Sequence, residues 1–215
     1  MKNTLIIGDI HEPFSKDGYL EHCITTKKKY KCTEIIFIGD VIDSHYSSFH
    51  NSDPDGFGAG EELNRAINKI QKWYKAFPKA KVCIGNHDAI VRRKAFDSGL
   101  SSKWIRDYDE VLGVKGWIFK EYHKIENILF THGTGTSGRS GAANRALQFS
   151  CNIVQGHIHT ESSITYSGKF WAMQTGCGVD ENSYAMAYAK HFSKTYKLSC
   201  GVITKDKTPI LIPFK

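Results

Sequence analysis

Five short stretches carry the residues whose types and spacing could do chemistry: Gly8-Asp9-Ile10-His11, Gly39-Asp40, Gly85-Asn86-His87, Thr131-His132-Gly133 and Gly156-His157-Ile158-His159. Aspartate, imidazole and an asparagine amide oxygen together form a donor set for borderline divalent ions such as Mn²⁺, Fe²⁺, Ni²⁺ or Zn²⁺. The i, i+2 spacing of Asp9 with His11, and of His157 with His159, puts both side chains of each pair on one side of an extended segment. Asp40 is a carboxylate and can bridge two ions, which a single imidazole does not do. Taken alone, a Gly-Asp after a strand reads as a turn, and a His-x-His as surface or core histidine. Five stretches in one register read differently, because half of the ten histidines follow an apolar run directly or within two or three residues.

Each stretch closes an apolar run of strand length, at 5–7, 35–38, 82–84, 128–130 and 153–154. Short, β-branched, continuously apolar runs bounded by glycine predict strands buried on both faces. Between them, Leu63, Ala66, Ile67, Ile70, Trp73, Tyr74 and Phe77 recur at helical spacing and predict a helix over 61–77. Glu61 and Glu62 suit its positive end, and Pro78 stops it. Further helices are expected over 16–30, 89–98 and 139–149. The tail reads as strands at 169–175, 198–204 and 210–213, with Lys205-Asp206-Lys207 as a turn. Strands alternating with helices imply an α/β sheet, and ligands bind just outside the carboxyl ends of such strands. The five stretches are therefore expected to converge. Without internal repeat, low-complexity tract or linker, one domain over 1–215 is the expectation.

The chain has 215 residues, 40% of them hydrophobic, enough for one packed core. Lys and Arg exceed Asp and Glu by 29 to 22, a formal charge of +7 that favours an anionic partner, either a nucleic acid or a phosphorylated small molecule. The densest basic run, Lys27, Lys28, Lys29 and Lys31, sits near a predicted helix end and also reads as a solvated face. Six cysteines without a CxxC pair argue against a disulfide framework. After the Met-Lys-Asn start only three apolar residues come before Gly8, too few for a signal peptide, and no stretch approaches the ~20 apolar residues of a membrane span. A cytoplasmic location and no membrane partner are expected.

Through these blocks the sequence resembles the calcineurin-like metallophosphoesterase superfamily. Its ordered pattern is present as Gly8-Asp9-Ile10-His11, Gly39-Asp40-Val41-Ile42-Asp43, Gly85-Asn86-His87-Asp88, His132-Gly133 and Gly156-His157-Ile158-His159. The resemblance implies an α/β (α+β) fold of two packed mixed β-sheets flanked by helices. It implies two divalent metal ions, with Mn²⁺ expected and Fe²⁺, Ni²⁺ or Zn²⁺ as alternatives. One would be held by Asp9, His11, Asp40 and His159, the other by Asp40, Asn86, His132 and His157. His87 would meet the phosphoryl group or the leaving oxygen, and Asp43 would orient that histidine. The implied reaction is phosphoester hydrolysis by a hydroxide shared between the two metals.

Departures from the superfamily's branches narrow the substrate. Ser44 and Ile84 stand where the Ser/Thr protein phosphatases carry phosphate-clamping arginines, which argues against that activity. The segment 44–60 forms an unusual Gly/Ser/Asp-rich loop containing His45, Tyr46, Phe49, His50 and Phe57, and loops on that face choose substrates. His45 is expected to reach the substrate phosphate. Arg139, at the end of the glycine-rich stretch 133–140, is a second phosphate contact; alternatively, these glycines only give backbone clearance. Arg92, Arg93 and Lys94 could follow a nucleic-acid backbone or simply be solvated. The favoured substrate is a nucleotide or another small phosphorylated metabolite, as diester or monoester. A nuclease acting on DNA or RNA is the alternative, and a non-catalytic binding scaffold the third reading.

Overall fold

Alternating burial along the first strands sets the layers of the molecule. In β1 (Thr4–Ile7) every residue is buried, but Leu5 and Ile7 join one apolar cluster and Ile6 another. β2 (Glu34–Phe37) repeats this, with Ile35 and Phe37 on the first side and Ile36 on the second. Strands apolar on both faces must be covered on both. In the computed structural model, which describes residues 1–49, 52–189 and 195–215, helices cover one side and a second sheet covers the other. His50 lies outside the described residues.

The first sheet continues with β3 (Ala80–Cys83) and β4 (Trp117–Lys120), and its helices are α1 (Tyr19–Lys29), α2 (Ala59–Ala76), α3 (Ile90–Asp97) and α4 (Tyr108–Leu112). Tyr19 and Cys23 of α1, Ala66, Ile70 and Trp73 of α2, and Leu112 of α4 fill the helix-side core. The second sheet is built from β5 (Tyr122–Ile125), β6 (Ile128–Thr131), β7 (Asn152–Gln155), β8 (Ser162–Ser167) and β9 (Phe170–Thr175), with α5 (Gly141–Phe149) between β6 and β7. Finally β10 (Ser199–Ile203) and β11 (Pro209–Pro213) return to the first sheet.

The six-stranded sheet runs β11-β10-β1-β2-β3-β4, with β1 to β4 parallel and β10 antiparallel to β1. The five-stranded sheet runs β5-β6-β7-β9-β8, with β6, β7 and β9 parallel and both edge strands antiparallel. Ile6, Ile36 and Cys83 meet Phe130, Val154 and Met173 between the sheets. On the far side Ala142, Ala143 and Ala146 let α5 lie close over Ile153 and Ala172. All six cysteines are free and buried. No helix among the described residues is long and apolar enough to cross a membrane.

Two packed mixed sheets flanked by helices are the expected fold, and differences lie in the details. α1 begins at Tyr19 rather than residue 16, because Gly18 adopts a left-handed conformation (φ 84°) and Lys16 closes a turn onto Tyr19. α2 spans 59–76, with Phe77 as its cap. β4, β5 and β8 were not anticipated. All three are sheet edges with at least one half-exposed face, so none presents a continuous apolar run.

Candidate metal centre

The parallel strands β1, β2, β3, β6 and β7 all end on one side of the two-sheet stack, and each delivers its polar residues there. Asp9 follows β1 and is fully buried. Its Oδ2 accepts a hydrogen bond from His157 N at 2.7 Å, while Oδ1 is buried with no hydrogen-bond partner. An ionised oxygen with no donor in a dry site is costly unless a cation meets it. The backbones of His11 (φ 47°), Asp40 (φ 47°) and His157 (φ 72°) are left-handed, strain of about 1–3 kcal/mol each that persists where surroundings enforce it. Gly85 and Gly156 are the other half of that enforcement: a Cβ on Gly85 would land on the Asp40 carboxylate, and one on Gly156 on Asp9 Oδ1.

Hydrogen bonds fix which imidazole nitrogens face inward. His132 Nδ1 lies 3.1 Å from the Ile38 carbonyl, which can only accept, so Nδ1 carries the proton and Nε2 presents its lone pair. His11 Nδ1 likewise donates to Asp43 Oδ1 at 2.6 Å. Burial alone would raise the Asp43 carboxyl, but hydrogen bonds from His11 and His87 hold it well below the usual carboxylate range. The freed atoms converge. His11 Nε2 is 3.2 Å from His159 Nε2 and 3.6 Å from Asp40 Oδ2, and His159 Nε2 is 3.2 Å from Asp9 Oδ2. On the other side His132 Nε2 is 2.9 Å from Asn86 Oδ1, 3.1 Å from Asp40 Oδ2 and 3.2 Å from His157 Nδ1.

Lone pairs brought this close need a positive charge between them. Two clusters result, Asp9–His11–His159 and Asp40–His132–His157, and their carboxylate, imidazole and amide-oxygen donors fit divalent cations. The protonation balance points the same way. Burial works against a charged His132, yet Asp40 and Asp9 push it up to about 9, a negative field that favours any cation. Burial moves His157 and His159 down, leaving them neutral and able to coordinate.

His87 borders both clusters, within a third grouping with His11 and Asp40. Its amide donates to Asp40 Oδ1 at 2.8 Å, and its Nδ1 donates to the Asp43 carbonyl at 2.6 Å, 3.3 Å from Asp43 Oδ1. Nε2 is left free. Burial disfavours its charged form, but Asp40 and Asp43 outweigh that and push the ring up to about 10. The arrangement can therefore present a proton beside the candidate ligands.

The seven predicted ligands, His87 and Asp43 are thus brought together; His45 and Arg139 are not. His45 is buried, its Nε2 accepts from Asp53 N at 3.1 Å, and its ring packs edge-on against Tyr184. Arg139, with its side chain 87% exposed, donates to Glu161 Oε1 at 2.7 Å. Arg93 lies 4.6 Å over Phe49, and Lys94 donates to the Ser48 carbonyl. Sequence reasoning missed three supports. Asp88 accepts from Val41 N, Ile42 N and Gly85 N, tying the loops after β2 and β3 together. Glu62 of α2 accepts from His45 N at 2.6 Å and Tyr46 N at 3.2 Å. Gln155 donates to Gln174, which donates to the Gly156 carbonyl and steadies the turn into His157. Of these only Asp88 had a signal, its place directly after His87.

Comparison with solved structures finds the same fold at low sequence identity. An archaeal phosphodiesterase aligns over 99% of each chain at 14% identity with a TM-score of 0.53. Vacuolar protein sorting 29 from Cryptosporidium parvum aligns over 98% of this chain and 95% of its own at 14% identity, TM-score 0.52. Wild-type Vps29 of Entamoeba histolytica, solved in complex with Zn²⁺, covers 99% of both chains at 13% identity, TM-score 0.52. No curated protein matches the sequence. The family model described as calcineurin-like phosphoesterase matches residues 2–187, a span that holds every candidate ligand and most of both sheets, and the chain belongs to that family.

Proposed function

We propose that this protein is a dinuclear-metal-dependent phosphoesterase acting on a phosphodiester or phosphomonoester of a nucleotide or other small phosphorylated metabolite. The observation that carries the reading is the convergence of seven donor residues into two adjoining clusters, one of which includes Asp9, whose buried Oδ1 has no hydrogen-bond partner. Asp9, His11, Asp40 and His159 would hold one ion, and Asp40, Asn86, His132 and His157 the other, with Asp40 between them. Divalent ions there, Mn²⁺ first among the candidates, supply Lewis-acid charge to phosphoryl oxygens and lower the pKa of water.

The chain's own residues do the rest. Asp43 keeps the Nδ1 proton on His11 and, through its carbonyl, the Nδ1 proton on His87. His87 Nε2 then faces the departing oxygen and donates a proton to it. His45 serves by tying Asp53 to the segment just after Asp43, and Arg139 is a phosphate contact only if it leaves Glu161. Six free, buried thiols support a reducing compartment, the cytoplasm. β1 pairing with β10 supports one domain over 1–215.

The test is hydrolysis of bis-p-nitrophenyl phosphate and p-nitrophenyl phosphate by metal-stripped protein, with Mn²⁺, Ni²⁺, Zn²⁺ or Mg²⁺ restored singly. Metal-dependent turnover that vanishes in Asp40→Asn is expected. Tight metal binding without turnover on any ester would favour the scaffold reading.

A further inference from the structure

Next to the metal centre lies an apolar cleft of about 560 Å³, bounded by α2, α3, α4 and the loop after β2. Small-molecule sites typically enclose about 300–1,000 Å³. Its walls are aliphatic, with Ile42, Leu63, Ala66, Val91, Ile105 and Leu112. Two rings stand at its mouth in contact with water: Trp104, 83% exposed, and Tyr46, 53% exposed. Large exposed aromatics beside a cleft mark binding surfaces more often than chance leaves them.

The polar groups of the cleft are few and unequal. Asp88 and Glu62 are committed to backbone amides. Glu12 keeps one buried oxygen, Oε2, without a hydrogen-bond donor and with Lys69 Nζ at 3.7 Å. Arg92 lies 4.6 Å over the Tyr108 ring and pairs with Asp107, whereas Arg106 makes no ion pair among the described residues. The cleft and the metal centre share a wall, since Ser44 follows Asp43, Asp88 follows His87, and both line the cleft.

We infer that this cleft seats the nucleobase of a nucleoside phosphate, free or at the end of a single strand. The proposal rests on the phosphoesterase reading for the neighbouring phosphate only. A flat base fills an aliphatic slot and stacks on Trp104 and Tyr46. Flanking phosphates meet the guanidinium groups of Arg92 and Arg106. A lipid chain would use the walls but offer no flat face to Trp104 and Tyr46. A sugar phosphate would leave the walls bare.

Equilibrium dialysis of metal-stripped protein in EDTA against AMP, ribose 5-phosphate and hexadeoxyadenylate separates the base site from the metals. AMP is expected to bind and ribose 5-phosphate not to. Trp104→Ala should weaken AMP about tenfold, and Val91→Trp, which closes the mouth, should abolish its binding. Equal affinity for AMP and the hexamer identifies a free nucleotide as occupant. A hexamer bound over tenfold more tightly, with affinity falling in salt, identifies a strand end. Equal binding of AMP and ribose 5-phosphate, no AMP binding at millimolar concentration, or unchanged AMP affinity in both variants overturns the proposal. Metal-dependent bis-p-nitrophenyl phosphate turnover without AMP binding overturns the cleft alone. AMP binding without such turnover leaves the cleft standing and overturns the phosphoesterase reading.

Discussion

Asp43 faces two histidines at once, and its stronger hold is on His11, at 2.6 Å through Oδ1, against 3.3 Å to His87. His87 is gripped mainly by the carbonyl of the same residue. The two roles separate by mutation. Asp43→Asn should lower metal affinity roughly 10–100-fold, the usual loss when a ligand's hydrogen-bonded carboxylate is removed, with activity recovering in excess Mn²⁺. Titration of metal content against turnover checks this; no recovery would assign Asp43 to His87 alone. His87→Gln should keep both metals and lose roughly 10²–10⁴-fold in turnover on a poorly activated ester, and full turnover would remove His87 from the reaction. The proposed ligands were legible because each stands within a few residues of the end of an apolar run, where position in sequence and position in space coincide. Glu62 was not legible. Its partners are amides 16 and 17 residues away, and nothing in residue type marks a carboxylate that accepts from a distant backbone.

At the level of elements, buried strands announced themselves and three of the four edge strands did not, the exception being β11 with its Ile-Leu-Ile run. β1, β2, β3, β6 and β7 are apolar on inward faces and end in glycine, whereas β8 reads Ser-Ser-Ile-Thr-Tyr-Ser with an exposed half. α2 was equally readable from its apolar spacing, yet its most consequential residue is Glu62, which pins the loop after β2 from the helix side. Burial pushes Glu62 up to about 7, the charge of Asp43 adding to this while the amides of Tyr46 and His45 oppose it. The folded state therefore binds a proton that the unfolded chain, with an ordinary glutamate, releases near pH 4.5. Stability from this group is present below about pH 4.5 and is lost as pH rises towards 7. Urea unfolding of metal-free protein should show a steeper fall in stability over that window for the wild type than for Glu62→Gln. Equal slopes would mean that Glu62 titrates normally in the fold.

Across the whole molecule, the proposed metal ligands link two sheets that otherwise meet through apolar packing and a few hydrogen bonds, such as His123 with the Val82 carbonyl and Ser199 Oγ with the Thr175 carbonyl. Asp9, His11, Asp40 and Asn86 come from the ends of the first sheet's strands, and His132, His157 and His159 from the second's. A cation shared across that seam binds the folded state and not the unfolded chain. At about 100 times its Kd it would add about 2.7 kcal/mol, and a chain of this length gains about 2–4 °C in Tm per kcal/mol. Restoring Mn²⁺ to metal-stripped protein should therefore raise Tm by about 5–10 °C. Gly85→Ala, whose Cβ would displace the Asp40 carboxylate, should abolish that rise. An exposed glycine with open space around it, such as Gly60 early in α2, is the control: Gly60→Ala should keep the full shift. Equal shifts in Gly85→Ala and Gly60→Ala would mean that the ion stabilises one sheet's loops without Asp40. The link between the sheets would then rest on the apolar packing and the hydrogen bonds across the seam.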